Sequence, residues 1–89
     1  MAGDKSTNIY DQHVVEHLLK ELRYKSGLRQ VDIAEALGIQ QSIVSKYEIG
    51  ERRLDILEVR SICKLFGISL GRFVEMLEER LGESTNEAD

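Results

Sequence analysis

Eighty-nine residues with a net charge of −4, one cysteine and neither proline nor tryptophan leave room for one small core and exclude a second, catalytic domain. Cys63 alone cannot close an internal disulfide, and one cysteine with His13 and His17 cannot furnish a zinc site, so a reducing cytoplasmic setting is expected, with no metal and no cofactor. No apolar run reaches the roughly 20 residues that span a bilayer, and the opening MAGDKSTN has no signal-peptide core.

Apolar residues recur at helical rather than alternating spacing, which predicts an all-α class with five helices. Residues 1–8 are small and polar and are expected to form a disordered arm ahead of a domain over 9–82. The first helix is expected from near Asp11, a plausible N-cap, to Lys25, with Val15, Leu18, Leu19 and Leu22 facing the core and Gly27 stopping it. A second helix covers about Gln30 to Leu37, carrying Ile33, Ala34 and Leu37 on one face. A third covers about Gln41 to Ile49, with Val44 and Tyr47 inward and Gly50 at its end. Only Gly38, Ile39 and Gln40 separate the second from the third. A link that short forces a steep crossing, and glycine can take the left-handed conformation that leaves a helix without a Cβ clash.

The fourth helix begins after Asp55, whose carboxylate caps it while Glu58 closes a capping box, and its inner face is Val59, Ile62, Cys63 and Phe66. After Gly67, Ser69 caps a fifth helix on which Leu70, Phe73, Val74, Leu77 and Leu81 share a stripe, with Gly82 expected to end it. The remaining residues 83–89 are acidic and polar and are expected to stay unfolded.

Two amphipathic helices around Gly38 have the geometry that pushes a helix into a DNA groove. Leu28, Gln30, Ile33-Ala34, Leu37-Gly38, Gln41-Ser42, Val44-Ser45, Tyr47-Glu48, Gly50 and the run Gly67-Ile68-Ser69-Leu70 resemble the helix-turn-helix domain of the phage-repressor (Cro/C1, XRE-like) type. The likeness runs without a gap from about residue 14 to residue 77. It implies a five-helix, lambda-repressor-like fold and a sequence-specific regulator of transcription, expected to repress. The regulator would act on double-stranded DNA as a homodimer.

In that arrangement the helix opening at Gln41 enters the major groove with its leading end first. Gln41, Ser42, Ser45 and Lys46 are then the expected base contacts, since Gln pairs with adenine bidentately, Ser donates and accepts, and Lys reaches guanine O6 and N7. Ile43 stands where the family usually has a small polar residue and is expected to pack rather than to touch a thymine methyl. Arg29, Gln30, Gln40, Arg52 and Arg53 are the expected phosphate contacts, Arg29 and Gln40 replacing capping residues common in the family. Leu54 replaces a common proline. The resemblance also implies an internal ion pair between Arg23 and Glu48. With no separate dimerisation domain, Met76, Leu77, Arg80 and Leu81 are the candidate interface.

The overall negative charge does not weigh against DNA, because it is unevenly placed. Residues 75–89 carry −5, from Glu75, Glu78, Glu79, Glu83, Glu87 and Asp89 against Arg80, whereas residues 23–53 carry +2. Repulsion of the acidic end would turn the basic side toward a duplex. The competing class is an antitoxin that binds a toxin as well as DNA; a restriction-modification controller is a variant of the first reading. Catalysis is not expected, because the His13 and His17 pair lacks a third ligand.

Overall fold

The computed structural model describes residues 9–85, and side chains over 13–82. The helices are α1 (Ile9–Lys25), α2 (Gln30–Leu37), α3 (Gln41–Glu48), α4 (Ile56–Leu65) and α5 (Leu70–Thr85), and no strand occurs among the described residues. The 1–8 arm and residues 86–89 of the tail lie outside them.

Leu18, Leu19 and Leu22 of α1 join Ile33, Ala34, Val44, Tyr47, Val59, Ile62, Cys63 and Phe73 in one buried cluster to which all five helices contribute. Each large apolar side chain enclosed in this way contributes about 1.5–3 kcal/mol. The expected inward position at Val15 is shifted by one residue. Val14 is the buried valine, in line with Leu18 and Leu22 at i+4 and i+8, and Val15 packs at the edge. On α4, Val59, Ile62 and Cys63 are buried, whereas Phe66 has left the helix as its C-cap residue and only partly packs on the core. Val74, expected on the α5 stripe, is 39% exposed.

Local chemistry sets the helix ends. Asp55 Oδ1 accepts from the Glu58 backbone N–H at 2.8 Å and Glu58 Oε1 accepts from the Asp55 N–H at 2.9 Å, the reciprocal box expected at the start of α4. Ser69 Oγ accepts from the Arg72 N–H at 3.0 Å and starts α5. Gly38 closes α2 in the left-handed region at φ 70°, ψ 34°. There its own N–H reaches the Glu35 carbonyl and the Ile39 N–H the Ala34 carbonyl, so two otherwise unpaired carbonyls are satisfied.

Two boundaries differ from expectation. The first helix starts at Ile9, so Asp11 lies inside it and is not its cap. The fifth runs through Gly82 to Thr85, which removes residues 83–85 from the expected unstructured tail. Gly82 is not among the glycines with positive φ. A glycine that keeps helical geometry costs only about 0.5–1 kcal/mol relative to alanine and does not by itself stop a helix.

Candidate nucleic-acid interface

The short link after Gly38 sets α3 across α2, with Val44 and Tyr47 buried beneath it. Its opposite side is open: Gln40, Gln41, Ser42 and Lys46 are exposed and Ser45 is half-buried. The four expected base-reading residues thus share the outward side of one two-turn helix, at positions 1, 2, 5 and 6. No side-chain partner within the described residues engages Lys46. The α3 N-terminus has no side-chain cap, so its first backbone N–H groups are available to an anion.

A buried ion pair fixes the angle of this helix. Glu48 Oε2 accepts from Arg23 Nε at 2.6 Å and Glu48 Oε1 from Arg23 Nη2 at 3.0 Å, a two-pronged bond between α1 and the end of α3. Arg23 is 7% and Glu48 5% exposed, so the pair is shielded from water. The Glu48 carboxylate raises the Arg23 guanidinium further above its already high value. Arg23 Nη1 also donates to the Leu28 carbonyl at 2.9 Å, binding the turn before α2. Its guanidinium lies 4.7 Å from the Tyr24 ring centroid.

Gln30 extends this network to the surface. Its Nε2 donates to Glu48 Oε1 at 2.9 Å, and its Oε1 lies 3.4 Å from Gln41 Nε2 as acceptor. Because an ionised carboxylate only accepts, the Glu48 bond determines which end of the Gln30 amide is which. Gln30 must therefore present its oxygen to Gln41. Arg23, Glu48, Gln30 and Gln41 form one chain from the core to the outward side of α3. Nothing in the local sequence signals the Gln30 contact with Glu48, since the residues are eighteen positions apart.

The cations expected at phosphates are placed differently from one another. Arg53 is exposed and no side chain within the described residues bonds it. Arg29 is exposed but folded onto Asp32, with Nη2 2.9 Å from Oδ1 and Nε 3.2 Å from Oδ2, while the Asp32 carboxylate also accepts from the Arg29 backbone N–H at 2.7 Å. The start of α2 is thus capped from Asp32, and the weak capping expected from Arg29 is compensated. The Asp32 at N3 was the sequence signal for this. These bonds from Arg29 hold the Asp32 carboxyl below its ordinary value. Arg52 is turned toward the protein: its Nη2 lies 3.0 Å from Glu58 Oε2, and its buried Nε has no hydrogen-bond partner.

The candidate interface residues on α5 are partly engaged elsewhere. Met76 and Leu77 pack against the core, Leu81 is half-buried, and Arg80 bonds Glu21 of α1 at 2.8 and 3.2 Å. The most exposed large apolar side chains are Leu57, Tyr24, Ile49 and Ile56. Among the described residues no three His, Cys, Asp or Glu side chains are grouped to hold a metal ion, and no helix is long and apolar enough to cross a membrane.

A recessed helix, a three-residue turn and an outward second helix with uncapped leading end define a helix-turn-helix DNA-binding domain. The helix-turn-helix family model matches residues 19–73, and the chain belongs to that family, the Cro/C1-type, XRE-like regulators of transcription that bind DNA. No curated protein and no solved structure matches the chain.

Proposed function

We propose that the protein is a sequence-specific repressor that reads the major groove of double-stranded DNA with α3. The observation that carries this reading is the chain from Glu48 through Gln30 to Gln41. Gln41 spends one amide hydrogen on Gln30 and keeps a second N–H and its carbonyl oxygen, the donor and acceptor that adenine N7 and N6 require. An amide held from behind meets a base edge with less orientational freedom left to lose. Ser42, Ser45 and Lys46 read neighbouring positions from the same side. Arg53 and the leading N–H groups of α3 meet phosphates, with Arg29, Gln30 and Gln40 beside them. Arg52 joins once Glu58 releases it.

A single module of this size buries too little surface for tight operator binding. The working unit is therefore a homodimer on an inverted repeat whose half-sites lie about one helical turn, roughly 34 Å, apart. Its interface draws on α5, from Met76, Leu77, Arg80 and Leu81. The setting is the cytoplasm, where chromosomal DNA is accessible.

Selection from a random pool of duplexes, followed by gel shift at low ionic strength, tests the reading. An inverted repeat should emerge and should bind far better than its single strand. Failure to enrich any duplex would refute it.

A further inference from the structure

Lys20 and Tyr24 stand one turn apart on α1, on the side turned away from Leu18 and Leu22. Neither belongs to the core cluster. Tyr24 is 64% exposed, and its ring is seated over the Arg23 guanidinium, 4.7 Å from the ring centroid. That seat places it beside the candidate interface, because Arg23 bonds Glu48 and Glu48 accepts from Gln30 at 2.9 Å. Lys20 reaches the same region from one turn back. It borders a hollow whose other wall is Glu48, Ile49 and Gly50 at the trailing end of α3. Glu16 also borders this hollow, but it is only 5% exposed, and the Glu48 carboxylate is already held by Arg23. No carboxylate within the described residues pairs with Lys20, so its ammonium supplies the charge at the outer rim.

We infer that this side of α1 is a second contact surface for the duplex backbone, with the Lys20 ammonium and the Tyr24 hydroxyl on phosphates beside the one met by Gln30. It rests on the reading of α3 as the helix in the groove. The major groove is about 8.5 Å deep, and α3 rises from Gln41 to Glu48 by seven steps of about 1.5 Å, roughly 10 Å in all. When the leading end meets base edges, the trailing end therefore stands near the rim of the groove, where the phosphates run. α1 meets α3 at that trailing end, through the Arg23 and Glu48 pair. Lysine and tyrosine both serve as phosphate ligands, one through its charge and the other as an uncharged donor. The seat on Arg23 also leaves the Tyr24 ring less freedom to lose on contact.

The test measures affinity for the selected duplex over a range of salt, for the full unaltered chain, Tyr24→Phe and Lys20→Gln. Tyr24→Phe keeps the ring over Arg23 and removes the donor, so it should weaken binding by roughly 3- to 10-fold, the equivalent of one neutral hydrogen bond. Its salt slope should stay unchanged, because an uncharged donor releases no counterion. Lys20→Gln should weaken binding and lower the slope by about one unit. Neither should change which bases are preferred, and urea unfolding of Tyr24→Phe should match that of the unaltered protein. Replacing single phosphates by methylphosphonates should reveal one position at which the loss from Tyr24→Phe disappears, a coupling that a purely structural tyrosine would not show. Unchanged affinity in either variant, an altered base preference, or a Tyr24→Phe loss that persists at every methylphosphonate would overturn the surface. Absence of duplex binding by the unaltered protein would refute the reading of α3 and this surface with it, whereas duplex binding that either variant leaves unimpaired removes the surface alone.

Discussion

Arg23 on α1 and Glu48 at the end of α3 hold each other through two hydrogen bonds of 2.6 and 3.0 Å, and both side chains are buried. The pair ties α3 to α1, the longest of the five helices. Removing one member strands a buried charge, which costs about 3–5 kcal/mol. Arg23→Ala and Glu48→Ala should each lower the unfolding free energy measured in urea by that amount. Arg23→Met combined with Glu48→Leu should lose far less, because no charge is left unpaired. Equal losses in the single and double variants would show that packing alone is responsible.

Gln30 should matter to base choice although the contact proposed for it on DNA is with phosphate. Gln41→Ala should relax the preference at one base pair by about 1–3 kcal/mol. Gln30→Ala should relax the same position, because Gln41 then loses its orienting partner. The two effects should fall short of additive in a double-mutant cycle on the selected duplex. Strict additivity would separate the roles of the two glutamines.

Arg52 and Arg53 are neighbours in sequence with opposite expectations. Arg53→Ala should weaken all duplexes evenly and reduce the slope of log affinity against log salt by about one unit. Glu58→Gln should do the reverse, raising affinity and steepening the slope, since it releases Arg52 and still accepts the Asp55 N–H at the start of α4. Salt titrations by fluorescence anisotropy separate the cases. An unchanged slope for Glu58→Gln would place Arg52 at phosphate already.

Gly50 and Gly38 both adopt positive φ, at 83° and 70°. A Cβ on Gly38 would meet nothing within 4 Å, so Gly38→Ala should cost only the backbone strain of about 1–2 kcal/mol. A Cβ on Gly50 would stand 2.6 Å from His13 Nδ1 and 2.7 Å from Cε1. Gly50→Ala must displace that ring as well and should be the more destabilising in urea unfolding. If Gly38→Ala proves the worse, the packing of His13 over the end of α3 is not as described.

Acid should weaken the fold through two surface carboxylates. Arg80 holds the Glu21 carboxyl below its ordinary 4.5, and Arg29 holds Asp32 below its ordinary 3.8. A carboxyl lowered in the folded chain contributes stability above its unfolded value and loses it as pH falls through the folded value. Urea midpoints should therefore fall below about pH 4.5, and Glu21→Gln should flatten the upper part of that fall. Parallel titrations of the two proteins would contradict the Glu21 contribution.

Much of the frame was legible because short-range chemistry writes it. Gly38 marked the turn, Asp55 with Glu58 marked the start of α4, and the spacing of Leu18, Leu19 and Leu22 marked the buried side of α1. Adjacent valines left the phase of that helix open by one residue, and the core took Val14. Gly82 read as a stop, yet a glycine terminates a helix only when it leaves helical geometry. The inward turn of Arg52 and the bond from Gln30 to Glu48 were not legible, because each depends on how separate elements meet in space. The phosphate assignment of Arg52 followed from position alone, and its pairing with Glu58 makes that contact conditional.

The most direct test is parallel selection of duplexes by the unaltered protein, Gln41→Ala and Arg53→Ala at one salt concentration. An outward, base-reading α3 predicts the same inverted repeat for the unaltered protein and Arg53→Ala, with one position in each half-site changed or relaxed for Gln41→Ala. Identical motifs from all three proteins, or no enrichment by the unaltered protein, would contradict it.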